Sequence, residues 1–388
     1  MMGPLAGFRI VEMAGIGPGP FAATLFADMG AEVIRVDRQE ATDLGLPTRE
    51  AKYDVLHRGR RSLCVDVKSE AGRAVVKRLA ARADALIEGY RPGVMERLGL
   101  GPEDLWQANP KLVYGRMTGF GQEGPMAERA GHDINYIALS GALHAIGRKD
   151  QAPVPPLNLL GDFGGGGMFL AFGVVCALLE AQKSGKGQVV DSAMVDGAAY
   201  LMALMFGLYS RGVWRDERGV NILDTGAPWY DVYPTKDGKW LAVGAIEKRF
   251  YEEFVQGLGL SMAELPKQHD INGWPKLRRR FAEVIAARTR EEWERVFEGK
   301  DACVSPVLSL AEVDGHPHNK VRGTFLNRDG VLQPAPAPRF SRTQCETSAP
   351  PRTRGADTEA VLRDWGFAAP EIEELKAAGA VGARNVER

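Results

Sequence analysis

Residues 8–38 read FRIVEMAGIGPGPFAATLFADMGAEVIRVDR, and this stretch decides the fold class. Residues 8–15 are a short apolar run that ends in a turn, which is the pattern of a buried strand. The turn GIGPGP (15–20) leads into a predicted helix, and AEVIRVDR (31–38) predicts a second strand. A strand, a turn, a helix and a strand in this order predict an α/β protein with a doubly wound sheet.

The glycines of the first turn do not fit the dinucleotide-binding fingerprint GxGxxG. Pro20 stands where the last glycine of that fingerprint would be, so a nicotinamide cofactor is not expected. Further strands and helices alternate up to about residue 121. Residues 188–194 predict another strand, and 195–212 predict an apolar helix that is buried, with another subunit as a possible cover. From WRDERG (214–219) onward the character changes, and a predicted hairpin across KDGK (236–239) followed by helices indicates a second, smaller α+β domain over residues 225–320.

Composition sets the broad class. The 388 residues are 45% hydrophobic and 26% charged, with a formal net charge of -1, so neither a nucleic acid nor a membrane partner is expected. The four cysteines form no CxxC pair, which predicts no metal site and favours a reducing compartment. A cytoplasmic location is expected, because no signal peptide or SKL-type C-terminus is seen and the apolar run 168–179 is too short to span a bilayer.

The chemistry is concentrated in residues 131–169, GHDINYIALSGALHAIGRKDQAPVPPLNLLGDFGGGGMF. His132 and Asp162 are of the side-chain types that carry protons near neutral pH. We expect the four glycines after Asp162 to leave bare backbone open to a ligand, with the N–H groups of the following helix pointing at it. Other roles stay open: His132 as a helix cap or core residue, Asp162 as an N-cap, and Asp133 as a cap of the next helix.

Six blocks of the chain, in order, resemble the alpha-methylacyl-CoA racemases, which are family III CoA-transferases. The resemblance implies that fold: a large CoA-binding Rossmann-like domain over residues 1–212, completed by 333–388, and linkers at 213–224 and 321–340 that lead to the small domain. It also implies an interlocked homodimer. The blocks are LAGFRIVEMAGIGPGPFAATLFADMGAEVIRVDR (5–38), LIEGYRPGVMERLGLGP (86–102), AGHDINYIALSGALHAIG (130–147), PPLNLLGDFGGGGMF (155–169), GKGQVVDSAMVDG (185–197) and GAIEKRFYEEF (244–254).

The resemblance also implies an activity. These enzymes interconvert (2R)- and (2S)-2-methylacyl-CoA thioesters by moving one proton through an enolate, without a metal or a cofactor beyond the CoA of the substrate. Carried over to this sequence, His132 and Asp162 are the two bases, one on each face of the carbon. Glu247 hydrogen-bonds His132 and sets its tautomer. Taken without the resemblance, Glu247 is a surface residue at a turn between a strand and a helix.

Contacts to CoA are carried over in the same way. Taken without the resemblance, each arginine could equally be a solvated surface charge, although an arginine fork suits phosphate oxygens. The basic run HRGRR (57–61) is a further candidate for the 3′-phosphate. The matched positions are Gly17, Pro18, Arg38, Val65, Asp66, Val67, Lys68, Gly89, Tyr90, Arg91, Arg97, Ala130, Gly131 and Asp133.

Two alternatives remain. In the transferase branch of the family, the residue at the position of Asp162 is the nucleophile that forms an acyl anhydride, so Asp162 alone does not separate the two activities. His132 favours the racemase, because transferases of the family generally lack a histidine there. A non-catalytic acyl-CoA-binding protein is the third reading, and the presence of His132, Asp162 and Glu247 together argues against it.

Overall fold

A computed structural model describes residues 3–40, 50–345 and 349–383. Its contacts divide the chain into two units, and the chain enters the second unit twice, which the sequence did not predict. The first unit is Met1–Ser140, Leu157–Leu201 and Lys320–Arg388, and the second is Gly141–Pro156 and Met202–Asn319.

One parallel sheet of six strands forms the middle of the first unit. In chain order its strands are β1 Arg9–Met13, β2 Glu32–Asp37, β3 Arg60–Cys64, β4 Ala85–Glu88, β5 Val113–Thr118 and β6 Val189–Ala193. They lie side by side as β3-β2-β1-β4-β5-β6, so the direction of strand addition reverses between β1 and β4. This is the order of a doubly wound sheet, and the predicted α/β class is confirmed.

Successive residues of a strand point to opposite faces of the sheet, and here the side chains on both faces are apolar. Helices cover both faces and bury these side chains. Val11 of β1 is buried in one core, and its neighbour Ile10 is buried in the other. The α-helices of both units, among the residues that the structure describes, are α1 Pro18–Asp28, α2 Glu70–Ala80, α3 Val94–Arg97, α4 Pro102–Trp106, α5 Asp133–Leu139, α6 Ala142–Ala145, α7 Met168–Ser184, α8 Met194–Leu201, α9 Ala203–Ser210, α10 Lys248–Gly257, α11 Trp274–Ile285, α12 Arg290–Phe297, α13 Pro317–Arg322, α14 Thr358–Asp364 and α15 Ala369–Ala377.

The glycine run lies inside a helix, and not in front of one. A π-helix begins at Leu159, ends at Gly167 and continues directly into α7. A Cβ on Gly165 would lie 2.5 Å from the backbone N of Ala198, and a Cβ on Gly197 of α8 would lie 1.8 Å from the O of Gly165. The prediction that the run is open to a ligand is therefore wrong. The missing side chains instead let α8 pack against the π-helix.

The continuous helix is longer than the apolar run suggested. Among the described residues, Leu159–Ser184 is the one helix long and apolar enough to cross a membrane: it has 26 residues, a mean hydropathy of 1.7 and 39% of its apolar window buried. Leu170 and Val174 pack on β5, where a Cβ on Gly115 would lie 3.0 and 3.1 Å from their side chains. Since it packs on the sheet as a core helix does, it gives no clear membrane span.

The second unit contains a small antiparallel sheet in the order β7-β8-β9. Its strands are β7 Tyr230–Pro234, β8 Trp240–Gly244 and β9 Val304–Pro306. The predicted hairpin across KDGK is confirmed as the β7–β8 pair. Trp229, Tyr251, Phe281 and Trp293 are wholly buried in the core between this sheet and α10–α12. A further antiparallel pair, β10 Phe325–Arg328 and β11 Val331–Pro334, lies in the range predicted as a linker and belongs to the first unit.

The predicted buried helix 195–212 is two helices. The helix α8 ends at Leu201, and α9 begins after Met202 and has no buried residue. Leu204 and Phe206 are 59% and 51% exposed. The prediction of a single helix is therefore wrong, whereas its burial against another subunit stays a prediction. In this chain α9 presents an apolar surface to solvent.

Candidate active site

A cavity of about 740 Å³ opens in the first unit at the carboxyl ends of the parallel strands. Its wall includes Met13 of β1, Asp37 of β2, Glu88 of β4 and Thr118 of β5. The cavity thus straddles the place where the strand order reverses between β1 and β4. Doubly wound sheets bind their ligands at this place, because the loops on either side diverge and leave a crevice.

The turn after β1 shapes one side of the cavity. Gly17 has φ 67° and precedes Pro18, the first residue of α1. This φ is strained for residues other than glycine, and proline at the first helical position costs no hydrogen bond. A Cβ on Gly17 would lie 3.3 Å from Oδ2 of Asp162. The turn therefore brings bare backbone close to the Asp162 carboxylate.

His132 lies in the wall of the same cavity, at the N-cap position of α5. Its backbone N donates a hydrogen bond of 3.0 Å to Oδ1 of Asn135. The hydroxyl of Tyr136 donates to the O of Gly131, and a Cβ on Gly131 would lie 2.8 Å from the Tyr136 ring. The sequence left open whether His132 is a cap or a proton carrier. Its backbone is at a cap, and its exposed side chain lines the cavity.

Asp162 lies in the first turn of the π-helix, and Asn158 occupies the N-cap position that was considered for Asp162. The Asp162 N–H donates a hydrogen bond of 2.7 Å to Oδ1 of Asp133, and Asn158 Nδ2 donates one of 3.2 Å to Oδ2 of Asp162. Burial raises the pKa of Asp162, and the charge of Asp133 adds to the rise, whereas Asn158 and His132 oppose it. Asp133 is the first residue of α5, and its carboxylate holds the backbone of Asp162 through this hydrogen bond.

This geometry suits proton transfer. His132 and Asp162 line one cavity and are close enough to influence each other's charge. A carboxyl group with a raised pKa holds its proton nearer to neutral pH, where imidazole also titrates. Both side chains are of types that can act as acid or as base, and both line this cavity.

A second carboxyl group in the wall is more deeply buried. Burial raises the pKa of Glu88 to about 7, although Arg116 opposes the rise and has its Nε 3.7 Å from Oε1 of Glu88. Glu88 Oε2 also accepts a hydrogen bond of 2.7 Å from the backbone N of Tyr90. Among the described residues, no three His, Cys, Asp or Glu side chains lie together in a way that could hold a metal ion.

Part of the predicted CoA contact set lies in the cavity wall. The guanidinium carbon of Arg38 lies 5.6 Å from the centre of the Tyr90 ring, which is a cation–π distance. Burial raises the pKa of Tyr90, which keeps its hydroxyl neutral. The predicted contacts found in the wall are Gly17, Pro18, Arg38, Gly89, Tyr90, Arg91, Ala130 and Gly131.

The remaining predicted contacts lie elsewhere among the described residues. Residues 65–68 follow β3, where Val65 bridges Val381 and the N of Asp66 donates to the O of Ala380 at 2.9 Å. Arg97 lines a separate pocket of about 530 Å³. Asp133 is buried beside Asp162 and is absent from the wall.

The arginines of the HRGRR run are held in internal ion pairs. Arg58 pairs with Asp28 at 2.6 Å, and the fully buried Arg60 pairs with Glu12 at 2.7 Å. Arg61 pairs with Glu32 and Asp364. The suggestion that this run binds a phosphate is therefore wrong for the three arginines, because their charges are already compensated. His57, the first residue of the run, does line the cavity.

Comparison with known proteins agrees with this fold. The sequence profile of CoA-transferase family III matches residues 5–358. The chain belongs to CoA-transferase family III. It is 49% identical over 373 residues to alpha-methylacyl-CoA racemase from Mus musculus, and 47% over 378 residues to that from Homo sapiens, covering 96% of this chain and of each relative. A CAIB/BAIF family protein from Brucella suis has a crystal structure that matches with a TM-score of 0.79 at 25% identity, covering 94% of this chain and all of the other.

Several wall residues of this family III chain were missed by sequence reasoning. Asn158 and Arg354 line the cavity, as do Glu88 and Tyr136. A signal for Asn158 was present, since it stands four residues before Asp162 and such spacing places two side chains on one face of a helix. Arg354 comes from the far end of the chain, and no local pattern relates it to the strands it joins.

Glu247 belongs to the other unit of the family III chain. It is the N-cap residue of α10, directly after the turn that follows β8. Burial raises the pKa of the nearby Cys303 thiol, and the charge of Glu247 adds to that rise. The predicted hydrogen bond between Glu247 and His132 stays a prediction.

Proposed function

We propose that this chain is an isomerase that interconverts (2R)- and (2S)-2-methylacyl-CoA thioesters. One observation carries the proposal. His132 and Asp162 line the same cavity in a chain that is 47–49% identical to alpha-methylacyl-CoA racemases over 96% of its length. Two proton carriers in one crevice are what inversion at a carbon next to a thioester carbonyl requires, since one proton leaves and another returns to the opposite face.

The proposed reaction runs in two steps. In one direction neutral His132 removes the α-proton and leaves an enolate, and protonated Asp162 then supplies a proton to the other face. In the reverse direction the Asp162 carboxylate is the base and the imidazolium of His132 is the acid. The raised pKa of Asp162 supports this, because it brings the two single-proton states of the pair closer in free energy. No step requires a metal or a redox cofactor.

The CoA part of the substrate would bind along the strands on the other side of the cavity. Arg38 and Arg91 offer guanidinium groups for phosphate oxygens, and Tyr90 offers a ring for stacking. These residues follow β2 and β4, so the sheet itself sets their spacing. A 2-methylacyl group of a branched fatty acid is the proposed acyl part, which would give the enzyme a role in lipid metabolism.

We also propose that the active enzyme is a homodimer. Leu204, Phe206 and Tyr209 of α9 are more than half exposed, and a second subunit would remove this apolar surface from water. In that assembly, Glu247 of the partner subunit is proposed to hydrogen-bond His132. Light scattering on wild type and Phe206→Glu tests the dimer: a dimer that becomes a monomer in the variant supports it, and a monomeric wild type refutes it.

Hydrogen exchange in heavy water tests the activity. The enzyme is incubated with one enantiomer of a 2-methylacyl-CoA and no acceptor acid, over a panel of acyl chains. The racemase exchanges the α-hydrogen for deuterium under these conditions. If acyl transfer to an added acid is seen without exchange, and hydroxylamine traps an anhydride, Asp162 is the nucleophile of a CoA-transferase. If acyl-CoA binds and neither reaction occurs, the chain is a binding protein.

A further inference from the structure

A half-buried cation lies in the cavity wall at a position to which no role has been given so far. Arg354 lines the cavity, and its Nη1 is shielded from solvent without a hydrogen-bond partner among the described residues. Leaving a charged donor buried and unpaired is costly, because the donor has lost its water and gained nothing in return. Such a group calls for an anion that is absent from the isolated chain.

The backbone around Arg354 is fixed on the sheet. The N of Gly355 donates to Oγ of Ser62 at 2.6 Å, and the N of Asp357 donates to the O of Ser62 at 3.0 Å. In return the N of Ser62 donates to Oδ2 of Asp357 at 3.0 Å. This segment thus lies along β3 in a set position. The backbone that carries Arg354 therefore needs little further ordering when a ligand arrives, which favours binding.

The electrostatic surroundings fit an anion. Two carboxylates of the wall are already compensated: Asp37 pairs with Arg35 at 2.8 Å, and Glu12 pairs with Arg60 at 2.7 Å. Burial raises the pKa of the Cys64 thiol to about 11, and the positive charge of Arg354 opposes that rise, which places this charge beside the end of β3.

The position along the cavity indicates which part of the substrate would meet Arg354. Asp162 lies against the turn after β1, whereas Arg354 is held on β3, two strands away in the sheet. Neighbouring strands are about 4.8 Å apart, so two strand spacings separate these sites by about 10 Å. In a CoA thioester, the phosphates are the anions that lie far from the reacting carbon.

We propose that Arg354 binds a phosphoryl group at the adenosine end of the CoA thioester, through charge-assisted hydrogen bonds to its oxygens. This inference rests on the proposed function, because it takes CoA as the ligand. It assigns to the C-terminal part of the chain a direct role in holding the substrate. The group is either the 3′-phosphate or the diphosphate, and both have the same chemistry toward a guanidinium.

Calorimetric titration with CoA tests the proposal, with Arg354→Gln, Arg354→Lys and the control Arg352→Gln beside wild type. Arg352 is two residues away, is 55% exposed, lies 3.9 Å from Asp357 and is outside the wall. We expect Arg354→Gln to raise the Kd for CoA by roughly tenfold or more, as loss of a charged hydrogen bond does. Arg354→Lys recovers part of the affinity, and Arg352→Gln binds as wild type does.

A second titration uses 3′-dephospho-CoA and identifies the phosphoryl group. If Arg354→Gln raises the Kd for CoA but not the Kd for dephospho-CoA, Arg354 binds the 3′-phosphate. If the Kd rises equally for both ligands, Arg354 binds the diphosphate. Either result supports the proposal.

Unchanged affinity for CoA in Arg354→Gln overturns the proposal. So does a loss of affinity that is accompanied by a lower unfolding temperature and is not recovered in Arg354→Lys, since that pattern reports a structural role. The result is independent of turnover. A wild type that binds CoA through Arg354 but exchanges no α-hydrogen refutes the racemase alone, whereas a wild type that does not bind CoA refutes both.

Discussion

The backbone N–H of Asp162 donates a hydrogen bond of 2.7 Å to Oδ1 of Asp133. Asp133 begins α5 directly after His132, so this bond joins the two segments that carry the proposed proton carriers, His132 and Asp162. It also places one carboxylate beside the other, and Asp133 thereby helps to raise the pKa of Asp162. Its position indicates that Asp133 positions Asp162 and helps to set its pKa, and the predicted contact of Asp133 with CoA stays a prediction.

Asp133→Asn tests this relationship. The amide oxygen can still accept the bond from the Asp162 N–H, but the negative charge is gone, so the pKa of Asp162 falls. We expect the acid limb of the kcat/KM profile to move to lower pH in the direction where the Asp162 carboxylate is the base. The exposed Asp314→Asn serves as the control and should leave the profile in place. An acid limb at the wild-type position in Asp133→Asn would contradict the assignment.

Asn158→Leu should move the acid limb of the kcat/KM profile in the opposite direction. Asn158 Nδ2 stabilises the charged form of Asp162 by a hydrogen bond of 3.2 Å, so its removal raises the pKa of Asp162 further. The acid limb of kcat/KM then moves to higher pH. Measured side by side, the two variants should displace the limb in opposite directions, and displacement in the same direction would show that the effect is not electrostatic.

Glu88 makes stability depend on pH. Its pKa is raised to about 7 by burial, so the folded chain keeps a proton between about pH 4.5 and 7 that the unfolded chain releases. The contribution of Glu88 to the free energy of unfolding is therefore lost as pH rises through this window. Glu88→Gln removes this titrating group. In urea unfolding, the free energy of unfolding of the variant should therefore rise relative to that of wild type between pH 5 and 8. The control is Glu128→Gln, at an exposed position. If the unfolding free energies of Glu88→Gln and wild type differ by the same amount at every pH, Glu88 does not have a raised pKa.

Gly197→Ala tests the contact between α8 and the π-helix. A Cβ there would lie 1.8 Å from the O of Gly165, which forces the helices apart. Overpacking of this kind costs about 1–3 kcal/mol or more. In Gly244→Ala the nearest atoms are 3.9 and 4.0 Å away, so this control should unfold close to wild type. Equal unfolding free energies for the two variants would disprove the close contact.

The local part of the fold was predictable from sequence. The strand, turn and helix of residues 8–38 follow from apolar runs and turn residues, and the hairpin across KDGK follows from its turn. The two breaks that sequence reasoning missed have physical causes. A helix interrupted at Met202 has the same apolar pattern as a continuous one. The strands β10 and β11 have only four residues each, and β11 runs into the Pro-rich stretch 333–340, so the pair was taken for part of a linker.

The candidate site was predictable only where one segment carries it. His132 and Asp162 come from neighbouring motifs, and histidine and aspartate are residue types that commonly transfer protons. The glycine run was misread, because a glycine that lets a ligand approach and one that lets a helix approach look the same in a sequence. Arg354 and the ion pairs of HRGRR join residues far apart along the chain, so only the folded structure reveals which arginines are compensated and which are not.

The central claim is that His132 and Asp162 act on opposite faces of one carbon. The most direct measurement starts from each pure enantiomer of a 2-methylacyl-CoA in heavy water, with wild type, His132→Ala and Asp162→Ala, and follows the configuration and deuterium content of the product. We predict that wild type yields inverted product carrying deuterium, and that each variant loses racemisation by about 100-fold or more while unfolding at the wild-type temperature. Full racemisation in either variant would contradict the account.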